Sequence, residues 1–184
     1  MNAMPDRPDA PACGSAPKPG SPNPEPGSPG PVRPLPRTRT CYVCGIENPG
    51  GFRLAMRVEA DGTVAGDYTP PPEDNGYRGI VHGGIAMTLM DEVMTWAAIL
   101  GTKRLCVAAE MTTRFRRPMP VGLAYRFSGR VTRATARLVL AEASVTGPDG
   151  EAVATAEGKY MPMPGSSASD AAVDFVDAPP AGLM

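Results

Sequence analysis

The sequence predicts an α+β domain in which a curved antiparallel sheet wraps one long central helix. Three observations carry this. Residues 85–100 are rich in Ala, Leu and Met, contain no Pro, and are apolar on nearly every face, as in a buried helix. Two strand candidates joined by Asp61-Gly62 precede that stretch, and four more follow it. A helix that is apolar almost all round must be covered, and an antiparallel sheet is the only partner this chain offers.

Length and charge narrow the function classes. The chain has 184 residues and a formal net charge of -1, which speaks against nucleic acid as the main partner. Its four cysteines are too few for a disulfide framework. No N-terminal apolar run reads as a signal peptide. No uninterrupted apolar run reaches the roughly 18 residues of a membrane span, because Asp91 and Glu92 break the longest. The expectation is a cytoplasmic protein with no membrane partner.

Residues 1–40 are dominated by Pro, Gly, Ser and Ala, with Arg33, Arg37 and Arg39 near their end. Such a stretch buries too little surface to offset its ordering entropy, so a disordered tail is expected there. Residues 164–184 are polar and Ala-rich and read the same way. The folded domain is expected over residues 41–163.

That domain opens on Cys41-Tyr-Val-Cys44-Gly45. A structural zinc site needs four ligands, and the remaining candidates are only Cys13, His82 and Cys106. No metal is expected, and the pair reads as small hydrophobes packed in a turn. Residues 52–60 and 63–68 form the hairpin around Asp61-Gly62. Pro70, Pro71 and Pro72 open a loop that contains Asn75-Gly76 and delivers the chain to His82 and the helix. Gly101 stands where a helix stop belongs. Residues 104–117, 123–133, 137–146 and 151–161 are the later strands. Leu123, Tyr125 and Phe127 alternate with polar neighbours, as in a half-buried strand. Ala152, Ala154, Ala156 and Gly158 make a small-residue face with room for the helix.

The chemistry concentrates on the helix. Thr88, Asp91, Glu92 and Thr95 recur at i, i+3, i+4 and i+7, a single polar stripe. Gly83 and Gly84 at the entrance leave backbone N–H groups open to a ligand, at the end of the helix that favours negative charge. Asp91 is a candidate general base or nucleophile. Glu92 lies about 100° further round, so the two acids point apart, and Glu92 reads as a structural partner. His82, the only histidine, is either a base or a support that orients a carbonyl. Arg114, Arg116 and Arg117 are either phosphate-binding or a solvated face. Trp96, Met87, Met90 and Met94 read as core, some of them bordering the site. There is no G-x-S-x-G elbow, P-loop or dinucleotide glycine pattern in the right context.

The order hairpin–helix–meander, the run Gly79-Ile-Val-His-Gly-Gly84 and the acid at Asp91 resemble the hot-dog fold. The nearest resemblance is to the phenylacetyl-CoA thioesterase-like branch related to 4-hydroxybenzoyl-CoA thioesterase. Cys41-Tyr-Val-Cys-Gly-Ile-Glu-Asn-Pro49 and Glu110-Met-Thr-Thr-Arg-Phe-Arg-Arg-Pro118 resemble members of the same branch. The resemblance implies a homodimer, or a dimer of dimers, that hydrolyses an acyl-CoA without a cofactor. It implies that the Gly83 N–H polarises the thioester carbonyl and that Asp91 is the catalytic carboxylate. Thr95 matches a hydroxyl that helps place water. Asn75 resembles an amide-bearing residue upstream of the histidine, although one residue out of register. Ala108 stands where some members have a serine. Gly84, Glu92, Arg114, Arg116 and Arg117 are expected near the substrate. A non-catalytic module that binds acyl-CoA or a fatty acyl group is the alternative.

Overall fold

A computed structural model of the chain describes residues 31–164 and 174–177. In chain order the elements are β1 (Arg33–Pro34), β2 (Met56–Val58), β3 (Val64–Tyr68), a 3₁₀ turn (Pro72–Asp74), β4 (Asn75–Tyr77), β5 (Ile80–Val81), α1 (Gly83–Thr102), β6 (Cys106–Phe115), β7 (Tyr125–Ala134), β8 (Val139–Thr146) and β9 (Ala152–Pro162). Seven strands form an antiparallel sheet in the order β1-β2-β3-β7-β8-β9-β6, with β4 and β5 as a separate small hairpin. This is the α+β arrangement the sequence predicts, one helix against one antiparallel sheet.

The helix lies across the middle of the sheet. Leu89, Met90, Val93, Met94 and Ala98 are fully buried against Phe127, Val139, Val145 and Tyr160. In β8 burial alternates along the whole strand, with Val139, Ala141, Ala143 and Val145 inward, the period-2 signature of one covered face. The helix crosses β7 tightly at Gly129. A Cβ there would lie 2.9 Å from the Val93 backbone, so only glycine permits the approach. On length and composition α1 would pass for a membrane span in spite of Asp91 and Glu92, and half of that stretch is buried inside the protein.

Several boundaries differ from the sequence expectation. The folded part starts before Cys41: β1 pairs with β2, Arg33 opposite Val58, and Leu35 is buried. Residues 174–177, expected in a disordered tail, lie beside this segment. Thr38 bridges Phe175, Thr40 donates to the Asp174 carboxylate through its N–H and its hydroxyl, and the Phe175 ring packs edge-on at 5.9 Å from Trp96. These contacts are tertiary, so a composition rich in Pro and Ala conceals them. The rest of both expected tails lies outside the described residues. Gly101 does not stop α1. The helix continues to Thr102 and ends at Lys103, which adopts the left-handed conformation with φ 55°. Leu123, read as inward, is exposed ahead of β7, whereas Tyr125 and Phe127 are buried as expected.

Candidate active site

The chain enters α1 through a tight set of backbone contacts. The His82 N–H donates to the Asp74 carbonyl at 2.8 Å, and the Asp74 carboxylate accepts from the Tyr68 hydroxyl at 2.7 Å. His82 is the N-cap: its Nδ1 accepts the Gly84 N–H at 3.0 Å. That bond places the neutral ring's proton on Nε2, which makes the exposed edge of the imidazole a donor. It also occupies the Gly84 N–H, so Gly84 does not offer its amide to a ligand. The Gly83 N–H differs. As the first helical residue it has no intrahelical acceptor, and no side chain among the described residues takes it.

Gly83 borders a cavity of about 620 Å³ whose walls include Val81, Ala86, Phe115, Met119 and Ala154. His82, Arg116 and Arg117 stand at the same cavity. Phe115 packs so near Gly83 that a Cβ there would be 3.1 Å from its ring. Arg117 is engaged by Asp149 in a two-point pair at 2.7 and 3.2 Å. Arg114 is not at this cavity. It lies with Arg116 along a groove on the outer face of the sheet, because successive side chains on β6 point to opposite faces. Asn75 is likewise displaced from the cavity. Its side-chain carbonyl accepts the Gly79 N–H at 3.1 Å and ties the β4–β5 turn. Ala108 lies on β6 opposite Tyr160 of β9.

Asp91 is two turns down the helix and does not line the cavity. Its Oδ1 accepts the Tyr160 hydroxyl at 2.8 Å. Burial raises the Asp91 pKa above the usual carboxylate range, and the Tyr160 hydrogen bond opposes that rise. Burial, with the Asp91 carboxylate next to it, pushes the Tyr160 phenol up, so it stays a donor. Thr95 lies against the same hydroxyl. Sequence reasoning missed Tyr160. The small-residue face explains its place: Gly158 leaves space for the Tyr160 ring, and a Cβ there would be 2.6 Å from it.

Glu92 does not join Asp91 or the cavity. It turns to the other side of α1, where its Oε1 accepts the Trp96 indole N–H at 3.2 Å. Both carboxylate oxygens lie 3.8–3.9 Å from Cys41 Sγ. Burial pushes the Glu92 carboxyl up to about 7, and Cys41 adds to the rise. The placement corrects its expected substrate-binding role. The 100° separation from Asp91 was legible in the sequence, but the partner across the chain was not.

Comparison with known proteins accords with this arrangement. Residues 78–154 match the model of the thioesterase superfamily. No curated protein matches the chain. A crystallised thioesterase superfamily protein is 27% identical with a TM-score of 0.63, over 67% of this chain and 63% of its own. This chain thus spans less than two thirds of that relative's length. The Escherichia coli PaaI protein from the phenylacetic acid degradation operon is 18% identical with a TM-score of 0.58, over 62% of this chain and 82% of PaaI. The smu.793 protein of Streptococcus mutans UA159, bound to acetyl CoA, is 20% identical with a TM-score of 0.53, over 55% and 82%. At such identities these two likenesses speak for the fold. The family match covers residues 78–154, the helix and the strands that follow it, and there the chain is similar to the thioesterase superfamily, with a fold like that of the solved superfamily protein and of PaaI.

Proposed function

We propose that the protein hydrolyses an acyl-CoA thioester to the free acid and CoA. The observation that carries this reading is the Gly83 N–H, unclaimed at the start of α1 and bordering an apolar cavity. A thioester carbonyl seated there meets a fixed donor at the positive end of a helix. One such donor stabilises the developing oxyanion by about 3–4 kcal/mol. The oxygen of water adds to the carbonyl carbon and its proton passes to an Asp91 carboxylate. The C–S bond then breaks and the CoA thiolate takes up a proton. Direct attack by Asp91, with water opening the resulting anhydride, gives the same products. The acetyl-CoA-bound neighbour supports a CoA thioester as the substrate class. Arg116 stands at the cavity and is in no ion pair among the described residues, which supports it, ahead of Arg117, as a partner of the CoA phosphates.

The reading needs two chains. Gly83 and Asp91 are eight positions apart on α1, about 12 Å along the axis. A base must come within about 3 Å of the proton it takes, or act through one water. One chain cannot bring both groups to one carbonyl. A second helix running antiparallel beside the first sets the partner's Asp91 opposite this chain's Gly83, and two-fold symmetry makes two such sites. The ten-residue β6 supports that assembly, since among the described residues it ends the sheet with one edge unpaired, and it exposes Val107 and Phe115. The four cysteines, too few for a disulfide framework, support a reducing cytoplasm as the place of action.

An assay across a panel of acyl-CoAs, following free thiol, tests the proposal: at least one must turn over. Binding without turnover would favour the non-catalytic acyl-CoA module. The observation on that side is Asn75, whose amide carbonyl is committed to the turn.

A further inference from the structure

We infer that Cys41, Cys44 and Glu92 form an open site for one zinc ion, with three protein ligands and one position left to water, between the residue 41–45 turn and the middle of α1. One ligand atom from each residue lies within 4.8 Å of the other two. Around a tetrahedral zinc with bonds of about 2.3 Å to sulfur and 2.0–2.2 Å to oxygen, two sulfurs stand about 3.8 Å apart and a sulfur and an oxygen about 3.5 Å. The Cys41 Sγ to Glu92 distances of 3.8 and 3.9 Å are a few tenths from that geometry.

The turn is built to aim both sulfurs the same way. The Val43 N–H points at Cys41 Sγ from 3.3 Å, a bond that favours thiolate over thiol. The Gly45 N–H returns to the Cys41 carbonyl at 3.0 Å. A Cβ at Gly45 would lie 2.3 Å from that oxygen, so the turn closes only around glycine. Cys-x-x-Cys followed by Gly therefore describes a two-sulfur claw, and not only a place where cysteines pack as hydrophobes.

Glu92 supplies an independent observation. A carboxylate crowded against two thiols is costly unless a cation compensates it. Among the described residues no basic side chain pairs with Glu92. The nearby Arg37 guanidinium is directed to the backbone carbonyls of Cys44 and Arg53. The indole of Trp96 holds the Glu92 carboxylate in place, the role an outer partner plays for a metal ligand. Two thiolates and a carboxylate in a tetrahedral arrangement suit zinc, with water at the fourth position. The sequence-based expectation of no metal counted only Cys and His. The third ligand stands 48 residues from Cys44 and on another element.

The test uses the full chain without an affinity tag, produced with zinc in the medium and desalted before elemental analysis. About one zinc per chain is expected, falling tenfold or more in Cys44→Ser and Glu92→Gln. Cys106→Ser, which changes the buried cysteine outside the cluster, must keep the metal. Should Cys44→Ser fail to fold, cobalt(II) added to metal-stripped wild-type protein must give a thiolate-to-cobalt charge-transfer band, weakened in Glu92→Gln. Wild-type protein with less than about a tenth of a zinc per chain and no such band overturns the inference, whether Cys41 and Cys44 are then found as thiols or as a disulfide. So does zinc retained in full by Glu92→Gln and Cys44→Ser.

Discussion

Replacing Tyr160 with Phe removes one hydroxyl and leaves the ring. The hydroxyl donates to Asp91 Oδ1 at 2.8 Å and favours the ionised carboxylate. A hydrogen bond to a charged group contributes about 1.5–3 kcal/mol, and one pKa unit corresponds to 1.36 kcal/mol. Losing it should raise the Asp91 pKa beyond the rise that burial already imposes. Asp91 must be ionised to accept a proton, so activity is present above its pKa and is lost as pH falls through it. The acid limb of kcat/KM against pH should therefore move to higher pH by about one to two units in Tyr160→Phe, with the alkaline plateau within about tenfold of wild type. A thioesterase assay from acid to alkaline pH reads this directly, and the unchanged ring keeps the buried packing. An acid limb that does not move, in a variant shown to be folded, would refute the link between Tyr160 and Asp91.

Asp91→Asn should keep the fold and CoA binding while lowering kcat by about a thousandfold, and near wild-type turnover would move the chemistry elsewhere. Gly158→Ala puts a Cβ 2.6 Å from the Tyr160 ring. It should lower stability by about 1–3 kcal/mol in denaturant and reproduce part of the acid-limb shift, whereas an unchanged profile would separate the two effects. Leu35→Ala should cost about 2–3 kcal/mol and Phe175→Ala about 1–2 kcal/mol, since Leu35 is buried and Phe175 covers one side of Trp96. A chain beginning at Cys41 that melts at the wild-type temperature would contradict the placement of β1.

The fold was legible because its signals are local. The Asp61-Gly62 turn, the proline-free and largely apolar stretch of α1 and the alternation of Tyr125 and Phe127 with polar neighbours in β7 each declare an element within ten or twenty residues. β1 and residues 174–177 were not legible. Each is a few residues long and exists through partners far away in the chain, Val58 for Arg33 and Thr38 for Phe175. At the site, Gly83, His82 and Asp91 follow from the helix entrance and its polar stripe. Tyr160 carried a weaker signal. A tyrosine ending the inward row Ala154, Ala156, Gly158 must place its hydroxyl near something polar, and the only acids on the helix it faces are Asp91 and Glu92. Choosing between them takes three-dimensional geometry. Arg114 was misplaced for a related reason: the pleat of β6 sends Arg114 to the outer groove while its neighbour Phe115 faces the cavity.

The most direct test of the account mixes two inactive variants. Asp91→Asn keeps the Gly83 donor and lacks the carboxylate. Gly83→Pro keeps Asp91 and lacks the donor, at a helix position where proline is tolerated. Unfolded and refolded together in equal amounts, about half the dimers are mixed, and each mixed dimer holds one site with both groups intact. About a quarter of wild-type thioesterase activity should then return. No recovery, with folded mixed dimers shown to be present, would contradict a site shared between two chains.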